Sequence, residues 1–125
     1  MALSEHARAI TAVVVRACEE KLGRDIVVLD VSGTLGIAEV FVMCSGASER
    51  QVGAIVDEIE KCSYLAGHKP LYREGGREDS WVLIDFFDVI VHVQHVEARV
   101  RYGLDRLWKD CPVVETSTWA DVEGS

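Results

Sequence analysis

The sequence is short of basic residues, of prolines and of paired cysteines, and these shortages exclude several classes of protein. Thirteen Lys and Arg face 21 Asp and Glu, which gives a formal net charge of −8. Non-specific binding to nucleic-acid backbones is disfavoured, because such affinity comes from an excess of Lys and Arg over Asp and Glu. We therefore expect a basic partner and little direct nucleic-acid contact. The four cysteines form no Cys-x-x-Cys pair, which predicts reduced core residues rather than a redox couple or a metal site.

Long apolar runs and a targeting segment are also missing. No run approaches the roughly 20 apolar residues that cross a bilayer, and the N-terminus has neither a basic start nor an apolar block. A cytoplasmic protein is therefore expected. What is present is core: 49% of the 125 residues are hydrophobic, enough to bury roughly two-thirds of the unfolded surface. The pattern predicts one domain over residues 1–110 and a flexible tail over 111–125, where periodicity ends.

Two hydrophobic spacings alternate along the chain and predict an α/β fold. Helical spacing begins after the capping residues Ser4 and Ser48, stops at Gly23 and Gly67, and returns over residues 96–108. The strand-like runs are 25–31, 37–44, 70–74, 81–84 and 89–93. The order α-β-β-α-β-β-β-α predicts a three-layer-like domain with a mixed five-stranded sheet and three helices.

The last two strand-like runs are close enough to form an antiparallel hairpin. With a turn centred on Phe86 and Phe87, Ile84 lies opposite Val89, and Trp81 opposite His92. Two successive phenylalanines cannot both be buried in a tight turn, so one of them is expected to be exposed. A three-residue loop would instead reverse the faces of the strand.

This hairpin has two unlike faces, because side chains alternate along a strand. The face predicted to be core is wholly apolar: Val82, Ile84, Val89, Val91 and Val93. The opposite face is mixed: Trp81, Leu83, Asp85, Asp88, Ile90 and His92. An apolar surface rimmed with carboxylates often marks a protein-binding site. The alternative is that helices cover both faces and Trp81 is ordinary core.

Residue patterns that carry catalysis are largely missing. Metal-dependent phosphoryl transfer needs two carboxylates that converge on one cation, yet acidic-x-acidic spacing occurs only at Glu58 and Glu60 of a predicted helix and in the tail. His92 and His95 point to opposite faces of a strand, which argues against a metal site. The residues by themselves predict a binding module without catalytic residues, metal or cofactor.

Four segments together resemble the ribosomal silencing factor (Iojap-related) family: DIVVLDV at 25–31, SGASERQV at 45–52, WVLID with DVIVHV at 81–93, and YGLDRLW at 102–108. The resemblance implies a fold similar to nucleotidyltransferases without their catalytic carboxylates. It also implies binding to the large ribosomal subunit through ribosomal protein fourteen, which blocks subunit joining and translation when nutrients are scarce. The alternatives are a nucleotidyltransferase-like enzyme or nucleotide-binding protein, and self-association of the hairpin patch into a homodimer.

The resemblance also implies where the partner binds. The family pattern puts Trp81 and Phe86 in the partner contact. To these we add Asp85, Asp88 and Glu78, because an acidic rim complements a basic ribosomal protein and speeds the encounter.

Two further residues belong to the expected contact region. Tyr102 matches the family pattern, either as a contact or as structural support. Phe87 stands where the family usually has glycine, and it is expected either to add apolar contact or to make the tip less tight.

Overall fold

The computed structural model describes residues 3–34, 36, 38–76 and 79–115. Its helices are α1 (Glu5–Glu20), α2 (Glu49–Leu65), α3 (Val96–Tyr102) and the single turn α4 (Leu104–Leu107). Its strands are β1 (Arg24–Asp30), β2 (Val40–Gly46), β3 (Tyr72–Glu74), β4 (Trp81–Asp85) and β5 (Val89–His95).

The five strands form one mixed sheet in the order β1-β2-β5-β4-β3. Strands β2 and β5 are parallel, and the other neighbouring pairs are antiparallel. The predicted α/β class with a mixed five-stranded sheet is therefore confirmed. The short strand β3 lies at the edge, as the proline at position 70 indicates.

Helices α1 and α2 cover one face of the sheet. The Ser4 hydroxyl accepts a hydrogen bond from the amide of Ala7, and the Ser48 hydroxyl accepts one from Gln51, each at 3.1 Å. These caps begin the helices where the sequence predicts. The inward stripes of both helices pack on Val residues of β2, β4 and β5 to form the main core. Cys18, Cys44 and Cys111 are buried free thiols, and Cys62 is a half-buried one.

The other face of the sheet is only partly covered. A smaller cluster joins Phe41 and Met43 of β2 to Leu104 and Trp108 of the α4 region. The predicted third helix is present, but it is interrupted at Gly103, which adopts the left-handed conformation with φ 61°. That backbone conformation favours glycine and ends α3, so the chain changes direction before α4. On the β4 side of this face, Tyr102 at the end of α3 packs on Trp81.

The hairpin has a different register from the predicted one. Trp81 lies opposite Gln94 rather than His92, and Ile84 opposite Val91 rather than Val89. The Phe86 amide donates to the Val89 carbonyl at 2.8 Å, so the two turn residues are Phe87 and Asp88.

The physical reason for this register is the turn. A two-residue hairpin needs positive φ at its first central residue or at both, and Phe87 has φ 81°. Because the register differs by two residues, the residues of β4 and β5 keep their predicted faces. Phe86 joins the apolar face, while Phe87 becomes the exposed member of the pair.

Residues 111–115, which the sequence places in the tail, contact β1. The Asp30 amide donates to the Pro112 carbonyl at 2.9 Å, and the Val114 amide donates to the Val28 carbonyl at 2.8 Å. Residues 111–115 therefore run beside β1 as part of the domain, with Cys111 in the smaller cluster. Residues 116–125 of the predicted tail lie outside the described residues.

Candidate protein-binding face

The β3 and β4 side of the partly covered sheet face presents a surface that we call the hairpin face. It consists of Tyr72, Glu74, Trp81, Leu83, Asp85 and Ile90, with Phe87 at the adjoining tip of the hairpin. Cross-strand pairing brings these side chains together, since Tyr72 lies opposite Asp85 and Asp85 lies opposite Ile90. Trp81, Leu83, Asp85 and Ile90 are half-buried, while Tyr72 and Phe87 are exposed. The arrangement is an apolar surface with aromatic residues at its margins.

Trp81 is held in place from two sides. Its indole Nε1 donates a hydrogen bond to Nδ1 of His92 at 3.2 Å. Its ring lies 4.7 Å from that of Tyr102, at an interplanar angle of 45°. Sequence prediction grouped Trp81 with Tyr102 only through family resemblance, and the structure brings the two rings together. An anchored ring of this kind loses little conformational entropy when a partner covers it.

His92 is the buried support beneath Trp81. Burial lowers the pKa of His92 from 6.5 to about 4, so the imidazole is neutral at pH 7. Indole can only donate a hydrogen bond, so Nδ1 must be the acceptor and the ring proton must be on Nε2. The His92 ring packs edge-on against Phe41, with centroids 5.2 Å apart. This contact ties the hairpin face to the smaller core cluster.

Phe86 is not in the exposed contact where it was expected. It is 4% exposed and belongs to the main core, whereas Phe87 is 62% exposed. The prediction that one of the two rings is exposed is confirmed, but the ring at the tip is Phe87. The Asp85 carboxylate accepts a hydrogen bond from the Phe87 amide at 2.7 Å. Asp85 therefore fixes the turn that presents this ring.

The acidic rim has a different membership from the predicted one. Asp85 lies on the hairpin face, but Asp88 turns away and its carboxylate contacts Nδ1 of His6 at 3.0 Å. This contact joins the tip to α1, so Asp85 and Asp88 do not meet across the hairpin. Glu78 lies outside the described residues.

Glu74 is an acidic member of the face that sequence reasoning missed. It pairs with Leu83 and shares a side of β3 with Tyr72, two positions earlier. The negative charge of Glu74 is the main reason why the pKa of Tyr72 is raised, with a smaller effect from Asp85. The alternation within β3 was the available signal, but the strand is only three residues long.

Tyr102 is positioned by an ion pair between the buried Arg99 and the partly exposed Asp105. The Arg99 guanidinium donates to both carboxylate oxygens of Asp105, at 3.0 and 2.8 Å, and to the Ser45 hydroxyl at 2.9 Å. The hydrogen bonds from Arg99 lower the pKa of Asp105. The pair spans Gly103 and fixes α3 relative to α4 and β2. Tyr102, 53% exposed at the end of α3, is thereby held beside Trp81.

Metal-binding clusters and membrane-spanning helices are both absent from the described part of the chain. Within it, no three His, Cys, Asp or Glu side chains gather in a way that could hold a metal ion. None of its helices combines the length and the apolar character needed to cross a membrane.

The fold is that of a small α/β protein with aromatic side chains on one sheet face, and comparison with known proteins gives its family. Residues 4–124 match the family model described as ribosomal silencing factor during starvation. The ribosomal silencing factor of Halalkalibacterium halodurans is 42% identical over 101 residues, which are 81% of this chain and 86% of that protein. The chain belongs to the ribosomal silencing factor family.

Two further proteins extend the comparison. A solved structure from Chromobacterium violaceum superposes with a TM-score of 0.77 at 32% identity, covering 80% of this chain and 83% of that one. A mouse protein named mitochondrial assembly of ribosomal large subunit protein 1 is 33% identical over 88 residues, which are 68% of this chain and 39% of that protein.

Proposed function

We propose that this protein binds the large ribosomal subunit through ribosomal protein fourteen and prevents the small subunit from joining. Translation is thereby repressed in the cytoplasm when nutrients are scarce. The mechanism is steric occlusion, so no bond is made or broken and no cofactor is used. The names of the relatives support a ribosomal target, and the mouse relative's name includes the large subunit.

The observation that carries the proposal is the exposed ring at the hairpin tip. Phe87 is 62% exposed and has φ 81°, a conformation that a bulky residue adopts only at a cost. The main chain is bonded on both sides of the turn, by the Phe86 amide to Val89 and by the Asp85 carboxylate to Phe87. A costly conformation that holds an apolar ring in water favours a partner that covers that ring.

Electrostatics support a basic partner at the same face. Asp85 and Glu74 place two carboxylates beside apolar side chains, and Trp81 of the same hairpin contacts Tyr102 of α3. Opposite charge on a ribosomal protein would raise the encounter rate, while the desolvated aromatic residues would supply most of the affinity. Trp81, Phe87 and Tyr102 are the proposed contacts, with Asp85 and Glu74 as the rim. Asp88, engaged with His6, is left out.

Self-association is a competing use of the hairpin face. A homodimer built on it would cover Trp81 and Phe87 and would have to open before the protein met a ribosome. Such a dimer would lower the apparent affinity for the subunit at high protein concentration.

Subunit joining provides the direct functional test. Purified large subunits are incubated with the protein, small subunits are added with magnesium, and association is followed by light scattering. We expect the association signal to fall in proportion to the large subunits occupied. In a second order of addition, the protein is first mixed with small subunits and large subunits are added last. The final inhibition should be the same, because the protein binds the large subunits when they arrive. An undiminished signal at saturating protein would contradict the proposal.

The enzyme alternative has its own measurement. A nucleotidyltransferase-like protein would bind nucleotide with magnesium, and such binding would raise the melting temperature. We expect no change in melting temperature with the four nucleoside triphosphates and magnesium. A rise of several degrees would favour the nucleotide-binding alternative.

A further inference from the structure

The negative charge of the chain is not evenly distributed around the hairpin face. Beyond Tyr102 lies what we call the basic edge, which consists of Arg101, Arg106 and Lys109, all exposed. Arg101 and Arg106 line a shallow depression of about 420 Å³ together with Tyr102 and Leu107. Two guanidinium groups, a phenol ring and an exposed aliphatic side chain therefore share one small concave surface.

The cations of the basic edge are available to a ligand. Residues 99–110 contain four cations and two carboxylates, but Asp105 is engaged by the buried Arg99. Asp110 is thus the one remaining carboxylate of this stretch. Within the described residues, the basic edge forms no ion pair. A chain of net charge −8 thus keeps a local positive surface.

We propose that the basic edge contacts phosphates of ribosomal RNA next to the protein bound by the hairpin face. This inference rests on the proposed function, in which the target is a ribosomal subunit. A guanidinium group matches the geometry of phosphate oxygens and donates two parallel hydrogen bonds to them. Tyr102 and Leu107 offer a surface on which a base or a ribose can pack, as in other sites for single-stranded nucleic acid.

The fold allows the two contacts to be made together. Tyr102 lies between them, since its ring packs on Trp81 while its exposed edge lines the depression. The Arg99–Asp105 pair fixes the turn that separates Arg101 from Arg106. The acidic margin formed by Asp85 and Glu74 matches a basic ribosomal protein, and the basic edge matches the RNA that surrounds such a protein. This revises the expectation of little nucleic-acid contact, because that expectation used the net charge of the whole chain.

The test separates RNA from protein by using two binding partners. The double variant Arg101→Gln/Arg106→Gln is titrated against intact large subunits, and separately against isolated ribosomal protein fourteen, at salt concentrations from 50 to 200 mM. The control is Arg50→Gln/Lys61→Gln, which removes the same charge from exposed positions of α2. Thermal melts check that both variants are folded.

We expect the Arg101→Gln/Arg106→Gln variant to bind large subunits about 10-fold more weakly than the control at 50 mM salt. Its salt slope should be shallower by about 1.5, the value for two lost phosphate contacts. Its affinity for isolated ribosomal protein fourteen should equal that of the control.

Three outcomes would overturn the inference. Equal affinity and slope for the two variants on large subunits would show that the basic edge makes no contact. An equal loss of affinity for the isolated protein would assign these arginines to a protein contact. If the unaltered chain bound no large subunits at all, the proposed function would fail and this inference with it.

Discussion

Trp81→Ala is expected to weaken binding to large ribosomal subunits by about 30- to 1000-fold, or about 2 to 4 kcal/mol. Trp81 is half-buried at the start of β4, and its ring is already fixed by His92 and Tyr102. A partner that covers it gains a large apolar contact at low entropic cost. Co-sedimentation with purified large subunits, over a range of protein concentrations, measures the effect.

Phe87→Gly separates binding from folding at the same site. Glycine adopts positive φ without steric strain, whereas phenylalanine does not. The strain relieved offsets the greater flexibility of glycine in the unfolded chain, so the free energy of unfolding should change by less than about 1 kcal/mol. Subunit binding should nevertheless fall about 10-fold or more. Tyr64→Ala is the matched control, because Tyr64 is 64% exposed on α2, away from the hairpin face. If the Phe87→Gly and Tyr64→Ala variants bound large subunits with equal affinity, the hairpin tip would not be part of the interface.

The free energy of unfolding is expected to fall by about 3 kcal/mol between pH 7 and pH 4 on account of His92 alone. In the folded protein, burial lowers the pKa of His92 to about 4, against its ordinary value of 6.5. The unfolded chain therefore binds a proton in this range that the folded chain excludes. Stability is lost as the pH falls below 6.5, and this contribution levels off below pH 4.

His92→Gln isolates this contribution from that of the carboxylates. Glutamine does not titrate, and its amide oxygen can still accept from the Trp81 indole. Urea unfolding is followed by tryptophan fluorescence at pH 7, 5.5 and 4 for both proteins. The unaltered chain should lose about 3 kcal/mol more than the variant over this range. Parallel pH dependences would show that His92 does not titrate as its burial requires.

Local sequence signals predicted the helices and the faces of the hairpin correctly. Ser4 and Ser48 cap their helices because capping depends on residues within one turn. The two faces of β4 and β5 were also correct, because strand alternation survives a register difference of two residues. The prediction placed Phe86 in the exposed contact, whereas the structure exposes Phe87. The difference depends on which of the two residues adopts positive φ, and a phenylalanine does not indicate that conformation.

The remaining differences depend on contacts between residues far apart in sequence. Asp88 leaves the acidic rim because His6, 82 residues away, lies next to the hairpin tip. The segment at 111–115 is ordered because it bonds to β1, whereas its own sequence has no periodicity. The direction of the chain after Gly103 is fixed by Arg99, which reaches Ser45 of β2. None of these partners can be identified from local spacing.

Photocrosslinking from the hairpin tip tests the central claim most directly. Phe87→p-benzoylphenylalanine places a photoreactive ring at the exposed position with little change in shape, and Tyr64→p-benzoylphenylalanine serves as the control. After irradiation with purified large subunits, the crosslinked protein is identified by mass spectrometry. The proposed function predicts crosslinking of position 87 to ribosomal protein fourteen and none from position 64. Crosslinking of position 87 to a different ribosomal protein, or equal yields from both positions, would contradict it.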